Sequence, residues 1–120
     1  MVKIVFCCRR RADLTPEAFL RRWLEVHGPL VKRLREHLPT MRRYVQSHTV
    51  PGPVTDALRA SRGAAEPYDG ITEVWFDSID DLQAGDPAAL AAAQQLYEDE
   101  AQFIDFTRSA VFLTEEYEIF

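Results

Sequence analysis

The run Gly70-Ile-Thr-Glu-Val-Trp-Phe76 has the length of a strand and is rich in β-branched and aromatic residues. It is too dense in apolar side chains for a strand with one wet face, so it reads as central and covered on both sides. Val2-Lys-Ile-Val-Phe-Cys-Cys8 has the same character. Two weaker strand signals flank this pair. In Met41 to Val50, Tyr44, Gln46 and His48 share one face, while Val45, Ser47 and Thr49 share the other. The last is Ala110-Val-Phe-Leu-Thr-Glu-Glu-Tyr117.

Two helical stretches separate the strands. Asp13-Leu-Thr-Pro-Glu17 is a helix start, with Thr15 as cap, Pro16 at the first helical position and Glu17 complementing the dipole. Phe19, Trp23, Val26/His27, Leu30, Leu34 and Leu38 then recur at three- and four-residue steps. Gly28-Pro29 interrupts this stripe, because proline removes a donor and crowds the preceding turn. A helix, a break beside His27 and a second helix to about Leu38 are expected. Ser78-Ile-Asp-Asp81 resembles a capping box that starts a short helix closed by Gly85. Asp86-Pro87 restarts a longer helix through Phe103. Residues 51–69 contain three prolines and no sustained periodicity, and read as a long loop, a cover or a mobile insertion.

The order β-α-β-β-α-β makes an α+β fold: a four-stranded antiparallel sheet with both helices on one face. The two crossovers lead us to expect the first and third segments to run parallel at its centre. Phe6, Cys8, Trp75, Phe112 and Phe120 supply more apolar surface than one helical layer needs, which predicts a homodimer packed sheet on sheet.

Length and composition agree with this. At 120 residues, 47% hydrophobic and 28% charged, the chain fits one globular domain, residues 1–120. No run of 18 apolar residues spans a membrane, and the amino-terminal apolar run is too short for a secretory signal. Cys7 and Cys8 are adjacent and point to opposite faces of a strand, so they read as reduced thiols of a cytoplasmic protein. The net charge of −5 is unevenly spread: residues 1–60 carry 12 Lys/Arg against 5 Asp/Glu, and residues 61–120 carry 2 against 14. On one sheet face a basic first helix and an acidic second one would match each other inside the domain. RNA-binding sheets need exposed aromatics with a basic-aromatic signature that the first strand lacks, so no nucleic-acid partner is expected.

No GxGxxG, P-loop, GxSxG, HExxH or CxxC occurs, which leaves no sign of a nucleotide, metal or other cofactor. What remains are polar residues on apolar elements. His27 lies on the buried stripe four residues after Trp23, either as a hydrogen-bonded core residue or beside a cleft opened by the helix break. Tyr44 and His48 line one face of a strand that is either a half-solvated edge or a pocket wall. Glu73 stands between Ile71 and Val74 and must be paired, hydrogen-bonded or protonated, with an arginine of the first half as one candidate partner. Trp75 can stack a planar ligand or belong to the core, and Asp69 shapes a turn or borders a site. Asp99-Glu100 at the end of the acidic helix reads as a solvated face.

Several of these segments fall into a larger pattern. Arg10-Arg11 with Thr15-Pro-Glu-Ala-Phe19, Trp23-x-x-x-His27-Gly-Pro-Leu30, Tyr44-Val-Gln-x-His48, Tyr68-Asp-Gly-Ile71, Glu73-Val-Trp-Phe-Asp-Ser78, Asp99-Glu100-x-x-Phe103-Ile-Asp105 and Thr114-Glu-Glu116 resemble the EthD family in order and spacing. The resemblance covers the chain apart from residues 51–67. It implies a ferredoxin-like monomer paired through its sheets as a dimeric α+β barrel, with ligands between helices and sheet. The family's namesake accompanies a cytochrome P450 system that degrades ethyl tert-butyl ether. Relatives with the fold include methylmuconolactone isomerases, aromatic polyketide cyclases and dehydratases, and cofactor-free monooxygenases. Where those isomerases have a cysteine before the Trp-Phe pair, this chain has Val74. The expectation is a homodimer acting without cofactor on a small apolar or aromatic molecule. His27, His48, Tyr44 and Glu73 would carry proton chemistry, and Trp23, Trp75 and Asp69 would bind substrate. The alternative is a non-catalytic accessory or carrier protein.

Overall fold

Four strands form one sheet in the order β2-β3-β1-β4, with β1 Val2–Cys8, β2 Arg43–His48, β3 Gly70–Phe76 and β4 Ala110–Glu115. The structure, a computed structural model, describes residues 1–83 and 85–120. β1 pairs antiparallel with both β3 and β4, and β3 antiparallel with β2. The expected parallel centre is therefore wrong. Each crossover joins strands that are parallel but not adjacent, and the strand inserted between them opposes both. The result is the ferredoxin-like topology.

The first helical stretch does not break at Pro29. α1 Pro16–Arg22 runs through a π-turn, Trp23–His27, into α2 Gly28–Leu34. The Gly28 N–H reaches back five residues to the Trp23 carbonyl. Proline has no N–H for the Glu25 carbonyl and would crowd it, and the widened turn makes room at the cost of one extra residue. Trp23, His27 and Val31 all stay buried on the same inward stripe as a result. Thr15 caps α1 by accepting from the Ala18 N–H, and Asp86 caps α5 Pro87–Glu100 by accepting from the Ala89 N–H.

Residues 51–69 are not simply a loop. Pro53–Arg62 form a helix, α3, closed by Gly63 at φ 57°. Pro53 occupies the first turn, where its missing N–H is harmless, and Gly63 takes the left-handed position that ends a helix. The sequence signal failed because α3 packs no stripe on the core: Val54 and Leu58 are 75% and 59% exposed. A short helix, α4 Asp80–Gln83, follows Ser78, whose N–H donates to the Asp81 carboxylate.

Residues paired across antiparallel strands share a face. The helix-facing set is thus Val2, Ile4, Phe6 and Cys8 of β1 with Gly70, Thr72, Val74 and Phe76 of β3. Two apolar clusters sit between sheet and helices: Cys8 with Phe19, Trp23, Phe103 and Ile104, and Val2 with Val31, Met41 and Phe76. Phe6 and Cys8 accordingly serve the helical layer, not the open sheet face to which the sequence reading assigned them. Burial pushes the Cys8 thiol up to about 12. The open face carries Val5, Cys7, Ile71, Glu73, Trp75 and Phe112, and Phe112 is half exposed. Phe120 lies beyond β4 and is fully exposed. No helix among the described residues is long and apolar enough to cross a membrane.

Ion pairing follows the charge asymmetry. Lys3–Glu73, Arg10–Asp69, Arg22–Asp99 and Arg42–Asp77 each join a basic residue of the first half to an acidic one of the second.

Candidate functional site

Trp23 is seated where β3 begins. Its ring stacks on His48, with centroids 4.7 Å apart and planes 17° from parallel, and lies over Gly70. A Cβ on Gly70 would come within 2.3 Å of the Trp23 ring and 2.7 Å of the Ser47 carbonyl oxygen. Neither neighbour can move cheaply, since Trp23 is 1% exposed and the other atom is backbone. Gly70→Ala should cost roughly 1–3 kcal/mol, the overpacking range. Urea unfolding checks it, and an unchanged midpoint would contradict the packing described.

Between this helix, α5 and the sheet is a cavity of about 580 Å³. Its walls are mainly apolar, from Ile4, Phe6, Trp23, Val74, Leu96 and Phe106 among others, and its polar groups are His27, Tyr44, Thr72, Glu100 and Ser109.

The polar side is built from two helices. His27, 3% exposed, places Nδ1 at 2.8 Å from Asp99 Oδ2, and Arg22 Nη2 donates to Asp99 Oδ1 at 2.5 Å. Burial would raise Asp99, but the hydrogen bonds from Arg22 and His27 outweigh it and hold the carboxyl below its ordinary range. An ionised Asp99 accepts the Nδ1–H, which leaves the Nε2 lone pair of a neutral imidazole free. Burial lowers the pKa of His27, partly opposed by Asp99, so the neutral form prevails. Glu100 Oε2 is 3.8 Å from Nε2, too far for a hydrogen bond. Burial, and then the charge of Asp99, push Glu100 up to about 7. Two adjacent carboxylates of α5 thus differ sharply: one is anchored and ionised, the other close to half protonated at neutral pH.

Tyr44 reaches the cavity from β2. Its hydroxyl accepts from Gln46 Nε2 at 3.1 Å, and the same amide donates to the Trp23 carbonyl at 2.9 Å, tying the sheet to the π-turn. Burial raises the Tyr44 phenol, so it is neutral with a proton to offer. His48 Nε2 lies 2.9 Å from Gln46 Oε1. The structure does not bring His48 to the cavity wall. A carboxamide separates it from Tyr44, orienting both without relaying protons between them.

The remaining sequence candidates lie elsewhere. Glu73 is on the opposite sheet face, paired with Lys3 Nζ at 2.6 Å, a lysine in place of the arginine considered from the sequence. Trp75 is on that face too. Lys3 Nζ and Arg43 Cζ lie 5.2 and 4.8 Å from its ring centroid, and its indole N–H donates to Glu116. Asp69 accepts from the Arg10 N–H at 2.9 Å, where the two central strands end and begin. Of seven candidates, His27, Tyr44 and Trp23 line the cavity. Of the pair Asp99-Glu100, read as a solvated face, Glu100 lines the cavity and Asp99 stands behind His27, on its Nδ1. The signal was present in the sequence: Ala92, Leu96, Asp99/Glu100 and Phe103 recur at helical spacing on one stripe.

Solved structures with the same fold extend across the whole chain at low identity. An EthD family protein from Bacillus halodurans C-125 superposes with a TM-score of 0.64 at 18% identity, covering 98% of this chain and 99% of that one. A dimeric protein of unknown function and ferredoxin-like fold from Bacteroides fragilis gives 0.60 at 17%, covering 96% and 95%. A dimeric ferredoxin-like protein of unknown function from Thermobifida fusca gives 0.60 at 13%, covering 94% and 88%. No curated protein matches the chain. The EthD domain model matches residues 11–107, which include the π-turn with His27, the strand with Tyr44 and the helix with Asp99 and Glu100. The chain belongs to the EthD family.

Proposed function

We propose that the protein binds a small, largely apolar cyclic or aromatic molecule in the cavity and moves a proton on it without a cofactor. One observation carries this reading: a neutral imidazole held by an ionised Asp99 beside a carboxyl that titrates near neutrality, both at an apolar cavity. His27 Nε2 takes a proton from a carbon next to a carbonyl. Protonated Glu100, or Tyr44, gives one to the carbonyl oxygen, so an enol forms with no net change in protons. Returning a proton at another carbon isomerises the ligand, and loss of a hydroxyl as water dehydrates it. Glu73, Trp75, Asp69 and His48 have no part in this version of the chemistry.

The same reading includes a homodimer packed through the open sheet faces. The described dimers of the two relatives support it, as do Val5, Cys7, Ile71 and Phe112 on that face.

A test needs no natural substrate. 2-Tetralone, an enolisable bicyclic ketone, exchanges its α-hydrogens in D2O, and NMR follows the rate. The protein should accelerate exchange at pH 7, and His27→Ala should remove roughly 10²–10⁴ of the acceleration. Equal rates for the two proteins would sink the assignment. Saturable binding with no acceleration would identify a carrier.

A further inference from the structure

The cavity does not end at Glu100. A second, apolar space of about 490 Å³ lies under the first half of α5, and Ile4, Met41, Val74, Leu96, Tyr97 and Glu100 line both. Ile4 and Val74 come from the sheet below, Leu96, Tyr97 and Glu100 from α5 above and Met41 from the segment before β2, so the two chambers meet beneath one helix. Their characters differ. The first holds the cluster of His27, Tyr44, Thr72 and Glu100. The interior of the second is built from Leu38, Phe76 and Leu82, with Ala93 at its open rim and its polar groups on His37, Thr40, Asp81 and Asp86.

Size bears on what could fill them. A cavity of about 150 Å³ is enough for benzene. The first chamber alone has nearly four times that volume. A single ring would leave most of the site to water or void, and neither suits apolar walls.

We infer that the two chambers are one bipartite site, and that its ligand carries an enolisable or phenolic ring head beside His27 and Glu100 and a flexible alkyl tail in the second chamber. This rests on the cavity reading of the preceding subsection and specifies its substrate class. A tail seated under α5 fixes which carbon of the head faces Nε2. Binding energy remote from the reacting atoms thereby orients the chemistry. A compact ligand that fills only the first chamber still reacts there, and a tail raises the efficiency by holding the head in one orientation.

The experiment is a calorimetric titration with phenol and with 4-ethyl-, 4-butyl- and 4-hexylphenol. Affinity should rise about fourfold per methylene, with one ligand per chain. Ala93 lines only the second chamber and is exposed, so Ala93→Phe fills that space without disturbing the core. It should collapse the ratio of hexylphenol to phenol affinity. Ala89→Phe, on the same chamber, is the second variant and should act alike. If phenol binds but the series is flat, or the gain survives both substitutions, the bipartite site is overturned and the cavity reading stands. If no phenol binds, the cavity reading fails and this inference fails with it.

Discussion

Glu100→Gln should raise the melting temperature by roughly 10 °C at pH 8 and by little at pH 4. The sign follows from the direction of the shift. Folding lifts the pKa of Glu100 from 4.5 to about 7, so between those values the folded state holds a proton that the unfolded state has released. Stability therefore falls as pH rises through that window, and above it the folded chain bears the whole cost of a charge among apolar walls. A shift of this size corresponds to about 3 kcal/mol. Glutamine keeps the shape and carries no charge, so the gain appears only where the carboxylate would be ionised. Calorimetric scans at both pH values check it. An equal gain at both, or none at pH 8, would mean that Glu100 is not desolvated as described.

His27 has the opposite sign. Its pKa is depressed by burial below the ordinary 6.5, so as pH drops below 6.5 the unfolded chain takes up a proton that the folded imidazole refuses, and stability is lost. Above 6.5 both states are neutral and the contribution is fully present.

Asp99→Asn tests the other half of the site. Asp99 accepts from two donors at once, 2.5 Å from Arg22 and 2.8 Å from His27. Asparagine has one acceptor oxygen. With that oxygen on Arg22, its NH2 group faces Nδ1, which must then accept, and the imidazole proton moves to Nε2. The lone pair at the cavity becomes a donor, and exchange of 2-tetralone should drop by about 10²–10⁴. Stability should fall by roughly 2–4 kcal/mol, because Arg22 loses its charged partner while its Nε is already buried without one. ¹⁵N shifts of His27 report the tautomer directly. A variant with Nδ1 still protonated and activity intact would remove Asp99 as the positioning residue.

Much of the architecture was legible because burial on two sides leaves a compositional trace. β1 and β3 stand out by apolar density, and the Phe19–Trp23–His27 spacing marks an inward stripe, which continues through Val31 where the sequence suggested Leu30. What stayed hidden has physical reasons. An apolar run covered on both faces has no alternation, so the side on which Glu73 lies is undefined until Lys3 and Trp75 are paired across β1 and β3. Pro29 signals an obstacle, but whether a helix breaks or widens depends on what the next turn gains by packing, here Val31 and Leu34. Asp99 and Glu100 look solvated by residue type, although they continue the Ala92–Leu96–Phe103 stripe by which α5 packs inward. α3 buries no side chain, and its short apolar face, Val54 and Leu58, lies in the open among prolines, so it does not read as a core-facing helix.

The strand order also governs how the molecule is made. β1 finds its neighbours in β3 and β4, and β2 finds its own in β3. No two strands can pair until Phe76 has been synthesised. A nascent chain halted at residue 60 therefore has no sheet, and its excess of arginine and lysine lacks every long-range acidic partner of the finished protein. Every strand pair therefore joins segments distant in sequence, and sheet formation must wait for β3, which pairs with β1 and β2 together.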